Sequence, residues 1–201
     1  MEKFFTQWKT DGRKPEIGEL LEFFTKSVSH AFLSPAELKD ALERGDEGLR
    51  GWYGIQSSED VLPSALEYRL RPRNLFFDGI PLTGSIDRID LLPDQTLRLV
   101  DYKTGNIKSQ KDLLGEGANG DMGYYRQLMF YRLALSLDAN WSKYPVDELR
   151  VDFVEGKKGE YRNVVLPIDS EKASQFRSEI RDAWDCLSSP EWWIEYFEGE
   201  K

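Results

Sequence analysis

Two alternating apolar segments flank Pro93-Asp94-Gln95, and this pair constrains the chain more than any other stretch. Taking those three residues as a turn, an antiparallel register centred on Asp94 sets Leu91 opposite Leu97, Ile89 opposite Leu99 and Asp87 opposite Asp101. Side chains alternate along a strand, so all three pairs share one face. A one-residue slip would turn every apolar member of that face to the other side. The face ends in two opposed carboxylates where core residues should continue, and Lys103 follows them on the same side. Like charges roughly 5 Å apart destabilise a strand pair. A hard divalent cation between them removes the penalty, because carboxylate oxygens are the ligands that Mg²⁺ and Mn²⁺ prefer.

That trio suits phosphodiester hydrolysis. A metal held by two carboxylates can bind a phosphate oxygen and lower the pKa of a bound water. An ammonium group beside it can orient the water and offset developing negative charge. The acid-x-Lys spacing alone is weak, since Glu37-Leu38-Lys39 and Glu155-Gly156-Lys157 share it. The first of these lies in a helical stretch and the second in a hairpin turn. Only Asp101-Tyr102-Lys103 ends an apolar strand with a second aspartate opposite. The competing reading makes all three plain charged strand ends facing water.

Gly84-Ser85-Ile86-Asp87-Arg88-Ile89-Asp90, Val100-Asp101-Tyr102-Lys103-Thr104-Gly105 and Gln127-Leu128-Met129-Phe130-Tyr131 together resemble the RecB-like branch of the PD-(D/E)xK nucleases. The likeness is greatest to the modules at the C-termini of UvrD/Rep-type DNA helicases and covers roughly residues 60 to 140. The resemblance implies a restriction-endonuclease-like α/β core, a mixed central sheet flanked by helices. It also implies a Mg²⁺- or Mn²⁺-dependent deoxyribonuclease with 5′-phosphate products, serving DNA repair or recombination beside helicase motor domains. Carried over, the metal ligands are Asp87, Asp101 and the backbone carbonyl of Tyr102, and Lys103 assists the water. Gln127 and Tyr131 match the family's glutamine and tyrosine, and four residues apart they share a helical face. An exonuclease is expected, although these residues do not themselves separate exonucleolytic from endonucleolytic cleavage.

Two departures accompany the likeness. Relatives carry a Gly-x-x-x-His ligand on an early helix, whereas the one histidine here, His30, lies in Val28-Ser29-His30-Ala31-Phe32. Met1 to Phe5 resembles the segment that follows that histidine, so the expectation is an excised domain beginning just past the ligand, with His30 an ordinary helix residue. Some relatives also hold an iron-sulfur cluster through four cysteines, which Cys186 alone excludes.

Over 201 residues one domain is expected, helical over 1–55, catalytic over 60–140, and closing with a hairpin and helices over 146–201. No apolar run approaches a membrane span and no signal-peptide pattern opens the chain. The single cysteine fits a reducing cytoplasm. A net charge of -9 is awkward for a chain that must hold DNA. It favours a domain that receives its strand from a partner module, and it also suits a catalytically silent module that guides DNA or docks on a helicase.

Elsewhere, Ser34-Pro35-Ala36-Glu37 predicts a capped helix start, and Asp78-Gly79 a tight turn between two short strands. Glu67 lies upstream of the hairpin, either as a solvated strand residue or as a further acid of the site. Asn106 to Asp121 reads as a long glycine-rich loop, plain or a flap over the cleft. Its Gly115-Glu116-Gly117-Ala118-Asn119-Gly120 fits a dinucleotide-binding pattern only on paper, because no strand leads into it. Leu149 to Val154 and Tyr161 to Pro167 predict a second hairpin turning at Gly156 to Gly159, and Ser170 to Leu187 a long helix. Trp184, Trp192, Trp193, Tyr196 and Phe197 form a C-terminal aromatic group suited to packing more than to base stacking.

Overall fold

A computed structural model of the chain describes residues 1–56, 61–117, 120–155 and 161–190. Three helices come first: α1 (Glu2–Asp11), α2 (Ile17–Ser29) and α3 (Pro35–Gln56). The predicted start of α3 holds, for the Ser34 N–H donates to Glu37 Oε2 at 2.8 Å and the Glu37 N–H returns to Ser34 Oγ at 3.4 Å. Strands follow as β1 (Ala65–Arg69), β2 (Leu75–Phe77), β3 (Ile80–Leu82), β4 (Ser85–Leu91) and β5 (Leu97–Thr104). Asp78 and Gly79 both have positive φ, 51° and 83°, as the tight β2–β3 turn requires. Then come α4 (Gln110–Leu113), α5 (Gly123–Leu137), β6 (Val146–Glu155), β7 (Arg162–Leu166) and α6 (Ser170–Ser188).

Five strands make one sheet in the order β1-β4-β5-β6-β7, with β2 and β3 forming a separate pair. All neighbours are antiparallel except β5 and β6, which run parallel. Two of the three predicted hairpin pairs are observed, Leu91 with Leu97 and Ile89 with Leu99, while the ladder ends at Arg88 and Val100, one step short of the third, Asp87 with Asp101. The second predicted hairpin joins β6 and β7 and does extend the sheet, while its turn, Gly156 to Gly159, lies outside the described residues.

Helices cover both faces. On one, Ile89, Leu97, Leu99, Leu149, Val151 and Phe153 pack with Leu128, Met129 and Tyr131 of α5, and Ala173, Phe176 and Ile180 of α6 close over that core. On the other, Phe4, Phe5, Leu20 and Trp52 of α1–α3 pack against Leu66, Tyr102 and Val154. Strand β5 is therefore buried from Leu97 through Asp101 whichever way a side chain points.

The second face holds charge as well as apolar groups. Asp90, fully buried, accepts from Arg88 Nε at 2.7 Å through one oxygen and from Arg98 Nε at 2.8 Å through the other. Arg88 also donates to Gln56 Oε1 at 2.9 Å and lies over the Phe5 ring at 4.6 Å. On β6, Arg150 pairs with Asp152 at 2.8 Å. A row of buried ion pairs thus spans β4, β5 and β6 on the side away from α5.

The stretch from Asn106 to Asp121 departs from a plain loop. It contains the single turn α4, boxed by Ser109 and Asp112, with Leu113 and Leu114 buried beneath it. Gln110 donates to the Val165 carbonyl at 2.7 Å and Glu116 pairs with Lys172 at 3.4 Å. These anchors tie it to the body of the protein and do not suit a freely closing flap. A helical turn, not a strand, leads into Gly115, so the dinucleotide fingerprint lacks its required setting. Trp184 is exposed on α6, whereas Trp192, Trp193, Tyr196 and Phe197 lie outside the described residues.

Candidate active site

At the end of the β4–β5 pairing the backbone partners stop at Arg88 and Val100. One step on, the Tyr102 N–H donates to Asp87 Oδ2 at 2.9 Å, so a side chain takes an N–H that a ladder carbonyl would otherwise accept. Asp101 stands beside this bond on the α5 face. It is 1% exposed; its Oδ2 meets the Lys103 ammonium at 2.7 Å, and its Oδ1 is buried with no hydrogen-bond partner among the described residues. Burial pushes the Asp101 carboxyl up to about 6; the Lys103 ammonium opposes the rise, and the charges of Asp87 and Asp152 add to it. Desolvation outweighs the ion pair because the carboxylate has lost water on every side and regained a single cation.

Lys103 is held from α5. Its Nζ donates to Gln127 Oε1 at 2.8 Å, and Gln127 Nε2 donates to the Tyr131 hydroxyl at 2.8 Å. The i,i+4 spacing read from the sequence therefore becomes a chain running from Asp101 through Lys103 and Gln127 to Tyr131. Tyr131 is buried, and its hydroxyl is pushed up by desolvation and then by the charges of Asp101, Asp87 and Glu67. The ring of Tyr102 points the other way, against Trp52, with its hydroxyl 3.4 Å from Arg88 Nη1.

Glu67 occupies the register position opposite Asp87 on β1. The pairs on either side form, Leu66 with Arg88 and Tyr68 with Ile86, but Glu67 takes φ 45° and its own pair is skipped. A left-handed, non-glycine residue inside a strand is strained. Partial burial raises its carboxyl, and the charge of Asp87 raises it further. His30 lies elsewhere, exposed at the end of α2 with its Nδ1 2.6 Å from the Lys26 carbonyl oxygen.

The Arg88–Asp90–Arg98 cluster and Lys108, which reaches toward the site from the loop, were not singled out in the sequence. Polar residues at alternate strand positions read as a water-facing side, and the helices that cover them lie far off in the chain. Nothing local marks Lys108.

A five-stranded mixed sheet with helices on both faces is the restriction-endonuclease-like arrangement. The chain belongs to the PD-(D/E)XK nuclease superfamily, whose family model matches residues 1–198. No curated protein matches it. Members of that superfamily generally use divalent metal ions. Among the described residues no three His, Cys, Asp or Glu side chains are grouped to hold one ion. Two carboxylates are nonetheless a fit donor set for a hard cation that keeps several waters. The orphaned Oδ1 of Asp101 is the observation that supports it: a buried carboxylate oxygen without a donor is costly unless a cation meets it. Among the described residues no helix is long and apolar enough to cross a membrane.

Proposed function

We propose that this chain is a metal-dependent DNA nuclease that hydrolyses phosphodiester bonds at Asp87, Asp101 and Lys103, and that it works as the nuclease module of a UvrD/Rep-type helicase. The observation that carries the reading is the buried Asp101 carboxylate, half unpartnered, flanked by Asp87 and Lys103. Asp87, Asp101 and the Tyr102 carbonyl would hold Mg²⁺ or Mn²⁺, which when bound supplies a Lewis acid for the phosphate and a more acidic water. Lys103 directs its ammonium at the attacking water and at the charge gathering on the phosphate oxygens. Gln127 holds that ammonium, and Tyr131 fixes the rotamer of Gln127, so the lysine is set before substrate arrives. The Asp87 carboxylate is oriented by the Tyr102 N–H. Exonuclease action with 5′-phosphate products, a cytoplasmic setting, and a part in repair or recombination complete the proposal, and they rest on the resemblance alone.

One observation favours a second reading, a silent module that guides DNA or docks on the helicase: no third side-chain ligand is grouped with the two aspartates among the described residues. Incubation of labelled single-stranded DNA with the protein in Mn²⁺, Mg²⁺ or EDTA decides between them. Cleavage that needs the metal and disappears in Asp101→Asn supports the nuclease. Binding without cleavage in either metal supports the silent module.

A further inference from the structure

A second ammonium group approaches the site from the loop after β5. Lys108 Nζ lies 4.8 Å from the centroid of the Tyr124 ring, and Lys103 Nζ lies 4.8 Å from the same centroid. The two cations are therefore no farther apart than twice that distance. Like charges gain nothing by gathering, so their convergence needs an attraction to offset it. The π-cloud of Tyr124 supplies part of that attraction, and the carboxylates of Asp101, 2.7 Å from Lys103, and Asp121, 3.1 Å from Lys108, supply the rest.

The setting of Lys108 is prepared rather than loose. Its carboxylate partner is Asp121, at 3.1 Å through Oδ2, while Asp121 Oδ1 accepts the N–H of Gly123 at 2.9 Å where α5 begins. A carboxylate thus stands where an ammonium and a helix-start N–H converge, the surroundings in which phosphate groups are also held. Asp121 is more than half exposed, which leaves that position open to exchange with an incoming anion. The loop is anchored by the box of Ser109 and Asp112 and by Gln110 on the Val165 carbonyl, so Lys108 is held near the ring.

We propose that Lys108 and Lys103, spaced by the Tyr124 ring, grip successive phosphates of a single DNA strand, Lys103 at the bond to be cut and Lys108 at its neighbour. The subsite rests on the nuclease reading above and goes beyond it by naming how the strand is registered. Lys108 leaves Asp121 when the phosphate arrives, and Tyr124 acts as a positioning residue. In a chain of net charge -9 such a contact also offsets the repulsion between surplus carboxylates and the phosphates of the strand.

Fluorescence anisotropy of a short labelled oligothymidylate, titrated over a range of salt with Ca²⁺ in place of Mn²⁺, tests this. For Lys108→Gln the slope of log affinity against log salt should shrink by about 0.7, the value of one phosphate contact on a single strand. Asp121→Asn keeps an acceptor for Gly123 while freeing Lys108, and should bind more tightly than the wild type. Tyr124→Phe should bind as the wild type does, whereas Tyr124→Leu should weaken binding, since only the first keeps a ring for the ammonium groups. An unchanged slope in Lys108→Gln, an Asp121→Asn that binds no tighter, equal losses in Tyr124→Phe and Tyr124→Leu, or a wild type that does not bind the strand would each overturn the subsite. Should the expected binding pattern appear without cleavage in Mn²⁺, the subsite stands and the hydrolytic reading fails.

Discussion

The backbone N–H of Tyr102 donates to Oδ2 of Asp87 at 2.9 Å, so the β4–β5 hairpin is tied at its open end by a carboxylate. The bond joins the residue between Asp101 and Lys103 to the acid on the facing strand, and it sets the orientation of Asp87 toward β5. Asp87→Asn keeps an acceptor oxygen and should fold with near wild-type stability while losing metal binding and cleavage. Asp87→Ala leaves the N–H without its partner and should cost about 1–3 kcal/mol in addition. Urea denaturation of the two variants checks the difference, and equal stabilities would show that the bond does not hold the strand ends.

Binding of Mn²⁺ only to the folded state stabilises it by mass action, by about 2.7 kcal/mol at a hundredfold excess over Kd. The melting temperature of the wild type should rise with Mn²⁺, and Asp101→Asn should remove most of the rise. His30→Ala should keep all of it, because that ring sits exposed at the end of α2. An equal shift in wild type and Asp101→Asn would assign the ion to another place.

In metal-free protein the stability contributed by Asp101 should fall as pH rises. Asp101 is pushed up to about 6, so the folded state keeps a proton that the unfolded chain releases near the ordinary aspartate value. Its stabilising contribution is complete below about pH 4 and is lost through about pH 6, a change on the order of 3 kcal/mol. Glu67 and Asp152 are also raised by burial and contribute with the same sign. The measurement is therefore the difference between wild type and Asp101→Asn in EDTA across this range. Parallel profiles would show that Asp101 ionises as freely in the folded state as in the unfolded one.

Lys103→Ala should lower cleavage by about a hundredfold or more, the scale of one lost electrostatic contact at the reacting centre. Lys103 is largely buried among Asp101, Gln127 and Tyr124, so its removal also leaves Asp101 without its cation. The pH at which the metal-free protein loses stability should therefore move upward. Retained activity would sink the assigned role of the lysine.

On the opposite face, Asp90→Asn leaves Arg88 and Arg98 buried without their shared carboxylate and should cost about 3–5 kcal/mol. Asp46→Ala breaks an exposed i,i+4 pair with Arg50 and should stay within about 0.5 kcal/mol. Denaturant midpoints measured side by side check the contrast, and a small loss in Asp90→Asn would mean that water reaches the row.

Much of the site was legible because its logic is local. Strand alternation and the turn at Asp94 set the register of Leu91 with Leu97 and Ile89 with Leu99, and the same counting puts Asp87 and Asp101 on one face, although the ladder ends at Arg88 and Val100 before it reaches them. Helical spacing aligned Gln127 with Tyr131, and the caps at Ser34 and the turn at Asp78-Gly79 follow from backbone preferences of a few adjacent residues. The burial of Asp101, and with it the raised carboxyl, came from α5 laid across one face of the sheet. The burial of Arg88, Asp90 and Arg98 came from α1–α3 on the other. The bend at Glu67, the anchoring of the loop beyond Gly105 and the meeting of Lys103 with Lys108 at Tyr124 likewise depend on segments distant in the chain. Periodicity says which side chains share a face, but the dielectric around a charge depends on what covers that face. That covering is decided only when the layers pack.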